Sequence, residues 1–263
     1  MRVPALLVGI SLLLPPAFQA TSTLRSELAP SGTMRVAVNL GNQLLVANDP
    51  GGQPRGIAVD LARELARRAN LPVEIVTYVS AGKIAAVATT GAWDVAFVGA
   101  EPERAADITF SPAYLEIEAG YLVPAGSPLQ SSDDVDRDGI DIAVTEKSAY
   151  DLYLSRNLKR ARLVRATDFD HAYKRFVDEK LTALAGLKPV LLETSKGLPG
   201  SRVLPGHFSV VKQAIGIPKG RDAGARFLSE FSEEIRRSGL VAQLTEKHGI
   251  RGVSVPPWNG ERR

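Results

Sequence analysis

The stretch Trp93-Asp94-Val95-Ala96-Phe97-Val98-Gly99-Ala100-Glu101-Pro102-Glu103-Arg104-Ala105-Ala106-Asp107-Ile108-Thr109-Phe110-Ser111-Pro112-Ala113-Tyr114 decides how this chain is read. Its apolar run over residues 95–98 has the length of a buried strand. The run breaks at Gly99-Ala100 and gives way to two carboxylates and an arginine around Pro102, before Phe110 and Tyr114 return the chain to packed structure. A ligand is expected where the apolar strand breaks into charge.

Outward from that stretch, strands and helices alternate. Residues 33–40 place Met34, Val36 and Val38 at alternate positions and read as a strand that ends in Asn39-Leu40-Gly41-Asn42-Gln43. Asn39 and Asn42 there either face a cleft or supply turn chemistry. Over 57–69, Ile57, Leu61 and Leu65 recur every four residues with Arg63, Glu64, Arg67 and Arg68 on the other side, which predicts an amphipathic helix stopped by Asn70-Leu71-Pro72. A strand over 73–78, a short helix over 83–90 and a strand over 94–98 follow, and strands alternating with helices imply a parallel sheet.

After an extended segment over 120–123, Pro124-Ala125-Gly126-Ser127-Pro128 has the composition of a crossing between lobes, and the pattern then restarts. Strands at 140–144, 162–165 and 181–185 alternate with helices at 148–158, 168–178 and 189–195. Residues 210–217 are extended and return the chain to its first lobe; helices at 223–237 and 241–248 complete it, and a Pro-rich tail over 251–263 is expected to add little. The expected architecture is α/β, with two α/β lobes joined by two hinge crossings: 33–122 with 216–250, and 126–212, crossing near Leu122-Val123 and Ala214-Ile215.

Composition narrows the function classes. Arg2 followed by an apolar run over residues 3–14, too short to span a bilayer, reads as a signal peptide occupying 1–20 and leaves about 240 residues, enough for a real core. With no cysteine there is no disulfide framework, no thiolate metal site and no lipid-anchoring cysteine, so the exported protein is expected to be freely soluble; a monomer is expected. Although the pI is near 9.1, the 32 basic residues are interspersed with 29 acidic ones, which argues against a nucleic-acid partner. Asp134-Val135-Asp136-Arg137-Asp138-Gly139 imitates the start of a calcium loop but has Thr145 where the bidentate glutamate belongs, and His171, His207 and His248 lack ligand spacing; no metal and no cofactor are expected.

Taken together, Gly56-Ile57-Ala58-Val59-Asp60-Leu61-Ala62 with Glu64-Leu65-Ala66, Gly91-Ala92-Trp93-Asp94-Val95-Ala96, Pro102-Glu103-Arg104-Ala105 and Ile108-Thr109-Phe110-Ser111-Pro112-Ala113-Tyr114 resemble the periplasmic solute-binding proteins of ABC importers, polar amino-acid type, family 3. The resemblance covers most of 33–250 and implies the type II periplasmic binding fold, with a small solute held between the lobes and delivered to a permease in the inner membrane. It implies that Arg104 grips a ligand carboxylate, for which a planar guanidinium is suited, and that Ser148 and Ala149, at a helix start, hold the same group from the second lobe. As a structural alternative, Arg104 is a surface arginine opposite Glu101 or Glu103, and Ser148 an ordinary N-cap.

Two segments depart from the family pattern. A hydroxyl-rich segment is replaced by Gly99-Ala100-Glu101, and the aspartate expected for the ligand's α-amino group is missing from Thr182-Ala183-Leu184-Ala185-Gly186-Leu187-Lys188. Either Glu101 faces the cleft and takes that role, or the ligand is not a standard α-amino acid. Lys188 either adds a second positive charge there or is a solvated lysine. The main alternative function is a cyclohexadienyl (prephenate or arogenate) dehydratase-like enzyme with Glu101 as general acid, since such enzymes share the architecture; a receptor's sensory module is a third. The reading adopted is a non-enzymatic binding protein.

Overall fold

The structure, a computed structural model, describes residues 22–257, so the expected signal peptide at 1–20 and the final residues of the expected tail lie outside the described part. In chain order the elements are α1 (Ser22–Leu28), β1 (Met34–Asn39), β2 (Ala47–Asn48), β3 (Pro54–Arg55), α2 (Ile57–Ala69), β4 (Val73–Tyr78), α3 (Ala81–Ala86), β5 (Val95–Gly99), β6 (Ile108–Phe110) and β7 (Leu115–Val123). They continue with β8 (Asp141–Thr145), α4 (Ala149–Asn157), β9 (Arg162–Ala166), α5 (Phe169–Asp178), β10 (Ala183–Leu187), α6 (Lys188–Lys196), β11 (Arg202–Val203), β12 (Ser209–Pro218), α7 (Asp222–Arg237), α8 (Leu240–Lys247) and β13 (Val253–Ser254).

The strands pair in the order β4-β1-β5-β12-β7-β10-β8-β9. One end of this sheet, β4-β1-β5, is parallel, as is the other, β10-β8-β9; the antiparallel pair β12 and β7 joins them. These are two α/β lobes joined by two crossing strands. The joint lies inside the long strands rather than in the proline-rich loop expected to carry it. β7 pairs with the first-lobe end of β12 at Leu115 and with β10 from Ala119 to Leu122, while β12 pairs with β5 from Gln213 onward. Leu122-Val123 therefore already lies in the second lobe and Ala214-Ile215 in the first, and Pro124 to Pro128 follows the crossing.

Each lobe has its own apolar centre. In the first, Ile57, Leu61 and Leu65 of α2 pack on Met34, Val36 and Val38 of β1 and on Ile235 of α7. In the second, Tyr121, Ile142, Val144 and Leu154 form one cluster and Val164, Phe176, Leu184 and Leu191 another, on opposite faces of the sheet. Because parallel strands are covered on both faces, β5 is buried along its whole length, as its unbroken apolar run requires. The tail contributes more than expected: β13 pairs with β7 at Ile117 and Glu116, and Val253 and Val255 pack against the first-lobe core.

The opening stretch has a structural part of its own. Asp94 is fully buried and accepts from the Arg35 backbone at 3.0 Å and from its guanidinium Nε and Nη2 at 2.9 and 2.8 Å, tying β1 to the start of β5. The Trp93 indole donates to the carbonyl of Ile84 at 3.0 Å and holds α3 against the sheet. Gly56, at the entry to α2, has φ +121°, and a Cβ there would lie 2.3 Å from the Leu45 carbonyl oxygen; only glycine fits.

Candidate functional site

The carboxyl ends of the parallel strands in both lobes converge on one cleft, the position at which open α/β sheets offer loops and helix starts to ligands. The cleft encloses about 730 Å³ including its mouth, and is lined by Asn39 at the end of β1, Ser80 after β4, Gly99 at the end of β5, Thr145 at the end of β8, Asp168 after β9 and Leu187 at the end of β10. Val211 and Gln213 of the crossing strand β12 also line it.

Four helices start at this cleft. Ser80 caps α3, Ser148 caps α4, Asp168 caps α5 and Leu187 precedes α6. Ser148 Oγ accepts from the Asp151 amide at 3.0 Å, and Asp151 reaches back to the Lys147 amide at 2.7 Å, one residue before the reciprocal partner of a capping box. Leu187 has no side-chain cap, so the first amides of α6 depend on other acceptors. Helix starts carry partial positive charge, so their convergence favours an anion.

Arg104 supplies the full charge. Its side chain is only 4% exposed, held by a short 3-10 turn that brings it under the end of β5. Nη1 donates to the Gly99 carbonyl at 2.6 Å and Nη2 to the Lys147 carbonyl of the second lobe at 2.8 Å. Burial pulls its pKa down to about 10, opposed by Glu101 and Glu103, so it remains cationic at neutral pH. Nε is buried without a hydrogen-bond partner, as is Asn42 Oδ1, another polar atom of a cleft residue. A buried polar group left unpaired costs stability and marks a place where a bound molecule has something to satisfy.

The structure thus brings Arg104, Ser148, Ala149, Asn39 and Asn42 to one cleft. Asn39 also serves its turn, accepting from the Gly41 amide at 3.0 Å, and Asn42 is buried. Glu101 is a correction: it is absent from the cleft lining, and its carboxylate accepts from Arg156 Nη2 of α4 at 2.8 Å. Burial pushes the Glu101 carboxyl up, opposed chiefly by the Arg156 hydrogen bond. Arg156 also pairs with Glu103, so both glutamates of the opening stretch are fastened to the second lobe. Lys188 is likewise outside the lining and donates to Glu118 at 2.7 Å.

Sequence reasoning missed Ser80, Thr145, Tyr150, Asp168, Phe169, Val190 and Gln213. Ser80, Asp168, Phe169 and Val190 sit two or three residues beyond a strand end and Thr145 at one, so a search of each strand's carboxyl end would have found them; Gln213 is a buried polar residue in a crossing strand. Burial raises the Tyr150 hydroxyl's pKa, opposed by hydrogen bonding toward Thr145 and Ser148, and this groups three hydroxyls at the start of α4. Among the described residues no group of three or more His, Asp and Glu side chains is arranged to hold a metal ion, and no helix is long and apolar enough to cross a membrane.

Comparison with known proteins gives consistent likenesses. A probable histidine-binding protein of Neisseria gonorrhoeae is 24% identical over 227 residues, 83% of this chain and 84% of the relative. Among solved structures, the solute receptor for L-cysteine of Neisseria gonorrhoeae superposes with a TM-score of 0.74 at 19% identity, covering 88% of this chain and 96% of that one. The ancestral amino acid-binding protein AncCDT-1, a precursor of cyclohexadienyl dehydratase, gives 0.71 at 22% identity, covering 86% and 99%. At such identities the solved structures speak for the fold, a type II periplasmic binding fold. The family model for bacterial extracellular solute-binding proteins, family 3, matches residues 34–250, and with the two lobes and the cleft between them it establishes that the chain belongs to this family.

Proposed function

We propose that this solute-binding chain works in the periplasm, captures a small carboxylate-bearing solute between its lobes and delivers it to an ABC importer. The observation that carries the reading is Arg104: a buried guanidinium with an unpartnered Nε, set in a cleft where helix starts converge. Such a group is matched by a carboxylate, which accepts two parallel hydrogen bonds from a guanidinium. Contacts from both lobes favour the closed form when the solute is present, with bending of β7 and β12 as the motion. The relatives named for histidine and L-cysteine support a solute of amino-acid size.

Binding without catalysis is the preferred reading. The dehydratase alternative needed Glu101 as a general acid in the cleft, and its carboxylate is held by Arg156 outside the lining.

Thermal unfolding of the purified protein against a panel of amino acids and organic acids tests this, because a solute at 100 times its Kd stabilises by about 2.7 kcal/mol. Arg104→Ala is expected to weaken binding of the best carboxylate at least ~30-fold while the circular dichroism spectrum is retained. Unchanged affinity in that variant, or no shift from any carboxylate, would exclude the reading.

A further inference from the structure

Resting on the carboxylate reading of Arg104, we infer that Gln213 is a specificity-determining contact, which reads the hydrogen-bonding group on the solute carbon next to the carboxylate. Gln213 lies where β12 exchanges partners, opposite Leu115 of β7 on one side and Gly99 of β5 on the other. The adjacent pair is the hydrogen-bonded one, with the Ala100 amide donating to the Lys212 carbonyl at 2.8 Å. Gln213 and Gly99 therefore form a non-hydrogen-bonded antiparallel pair, whose Cα atoms approach to about 4.5 Å and whose side chains rise from the same face of the sheet. The Gly99 carbonyl faces away from β12 and is left for Arg104 Nη1. The shared face is the cleft, since a Cβ built on Gly99 would lie 3.5 Å from Arg104 Nη1 and 3.5 Å from the Ala149 Cβ.

The Gln213 side chain is placed there with its hydrogen bonds unmade. It is 5% exposed, and among the described residues its carboxamide has no partner. Because it lines the cleft, the donors and acceptor it does not use within the protein are offered to a molecule held there. On the carboxylate reading, Arg104 and the start of α4 serve the carboxylate oxygens, so the solute group left for a carboxamide beside them is the substituent on the next carbon. A carboxamide both donates and accepts, so an ammonium or a hydroxyl satisfies it and a C–H does not. Asp168 and Glu146 add acceptors for an ammonium from the second lobe, whereas Gln213 acts from the crossing strand, where its companion in the lining, Val211, is apolar. A site with a buried polar group set for one substituent discriminates against the analogue that lacks it.

Sets that differ only at the second carbon test this: L-alanine, L-lactate and propanoate; L-leucine, 2-hydroxy-4-methylpentanoate and 4-methylpentanoate; L-glutamate, 2-hydroxyglutarate and glutarate. In titration calorimetry the wild-type protein is expected to bind the better substituted member of at least one set more than ~10-fold tighter than the unsubstituted acid. Gln213→Met keeps the length of the side chain and removes the amide. It should shrink that ratio at least ~5-fold while the affinity for the unsubstituted acid stays within about 3-fold of wild type, and Gln213→Leu, as a second variant, should do the same. A wild-type ratio near one overturns the inference, as does an unmoved ratio in both variants. An equal loss for every member of a set also overturns it, because that is the mark of a merely structural residue. Arg104→Ala should instead weaken all members alike; if it does so while the Gln213 variants leave the ratio unmoved, the carboxylate reading stands and this inference falls. If no member of any set binds, both fall.

Discussion

Replacing Arg156 with methionine should open the molecule. Arg156, on α4 of the second lobe, donates to Glu101 at 2.8 Å and also pairs with Glu103, both in the first lobe. Methionine keeps much of the aliphatic stem and removes the charge. In the closed arrangement Glu101, 8% exposed, would then be a buried carboxylate without its cation. Removing one partner of a fully buried pair costs about 3–5 kcal/mol. Here the Arg156 side chain is 33% exposed and Glu103 is 43% exposed, so solvent screens part of the interaction and a figure of about 1–2 kcal/mol is appropriate. At about 1.4 kcal/mol per tenfold, the closed form loses roughly 5- to 30-fold in population relative to the open form, and solute affinity falls by up to that factor.

The chain has no cysteine, so Thr89→Cys and Val177→Cys, exposed positions in the first and second lobes, accept spin labels without background. Distances between them should lengthen in Arg156→Met and largely recover in Glu101→Gln/Arg156→Met, where no charge is left to bury. Arg162→Met is the control, because Arg162 pairs with Asp141 inside one lobe at 2.6 Å. Acid provides a further check. With Arg156 gone, burial raises the Glu101 carboxyl unopposed by its main partner. A carboxyl whose pKa is higher in the closed form penalises closure above that pKa, and the penalty vanishes as it protonates, so lowering the pH should reclose the variant. Identical distance distributions in wild type and Arg156→Met, or equal lengthening in Arg162→Met, would refute the reasoning.

Two further outcomes concern stability. Hydrogen bonds from Arg67, then Arg68, hold the Glu64 carboxyl down at about 2, and Arg68 also pairs with Glu234 of α7 at 2.6 Å. Its pKa is lowered on folding, so this stabilisation is present above about 4.5 and is lost as pH falls toward about 2; Glu64→Gln should cost roughly 1–2 kcal/mol in urea unfolding at pH 7, a gap that closes by pH 2. Gly56→Ala should destabilise by more than about 3 kcal/mol in the same assay, because the new Cβ meets the Leu45 carbonyl at 2.3 Å in a backbone conformation that L-residues avoid. A loss below about 1 kcal/mol would show that the turn relaxes freely.

Local pattern made most of the fold legible. The helix expected over 57–69 and the strand expected over 73–78 match α2 and β4 at both ends, since each carries one clean period and a stop signal. The crossings were displaced because β7 and β12 carry few turn residues; where a long strand exchanges one partner for another is decided by tertiary pairing, which leaves no local trace. The same limit acted on Glu101. Its position beside a cleft could be read from the strand break, but its partner lies 55 residues away on a helix of the other lobe. Arg104 was legible because a family pattern surrounds it, whereas Leu187 at the end of β10 registers in sequence only as a missing carboxylate.

The contacts between the lobes fall into two sets with different chemistry, and this separation bears on how closure is tuned. Arg156 with Glu101 and Glu103 lies outside the cleft lining and needs no solute. On the proposed reading Arg104 stands in both roles: its Nη2 crosses to the Lys147 carbonyl at 2.8 Å, and its Nε, unpaired, meets the solute. A guanidinium can do this because its five donors diverge in a plane, so two atoms hold backbone carbonyls while others remain for a solute. Solute binding then does not have to create closure from nothing. It completes a set of donors whose positions the lobe-to-lobe contacts already define, and the free energy spent on ordering the guanidinium is borne by the protein before the solute arrives. On the proposed reading, Arg104 couples closure to the solute by direct contact, while the Arg156 pairs shift closure, and affinity with it, without touching the solute.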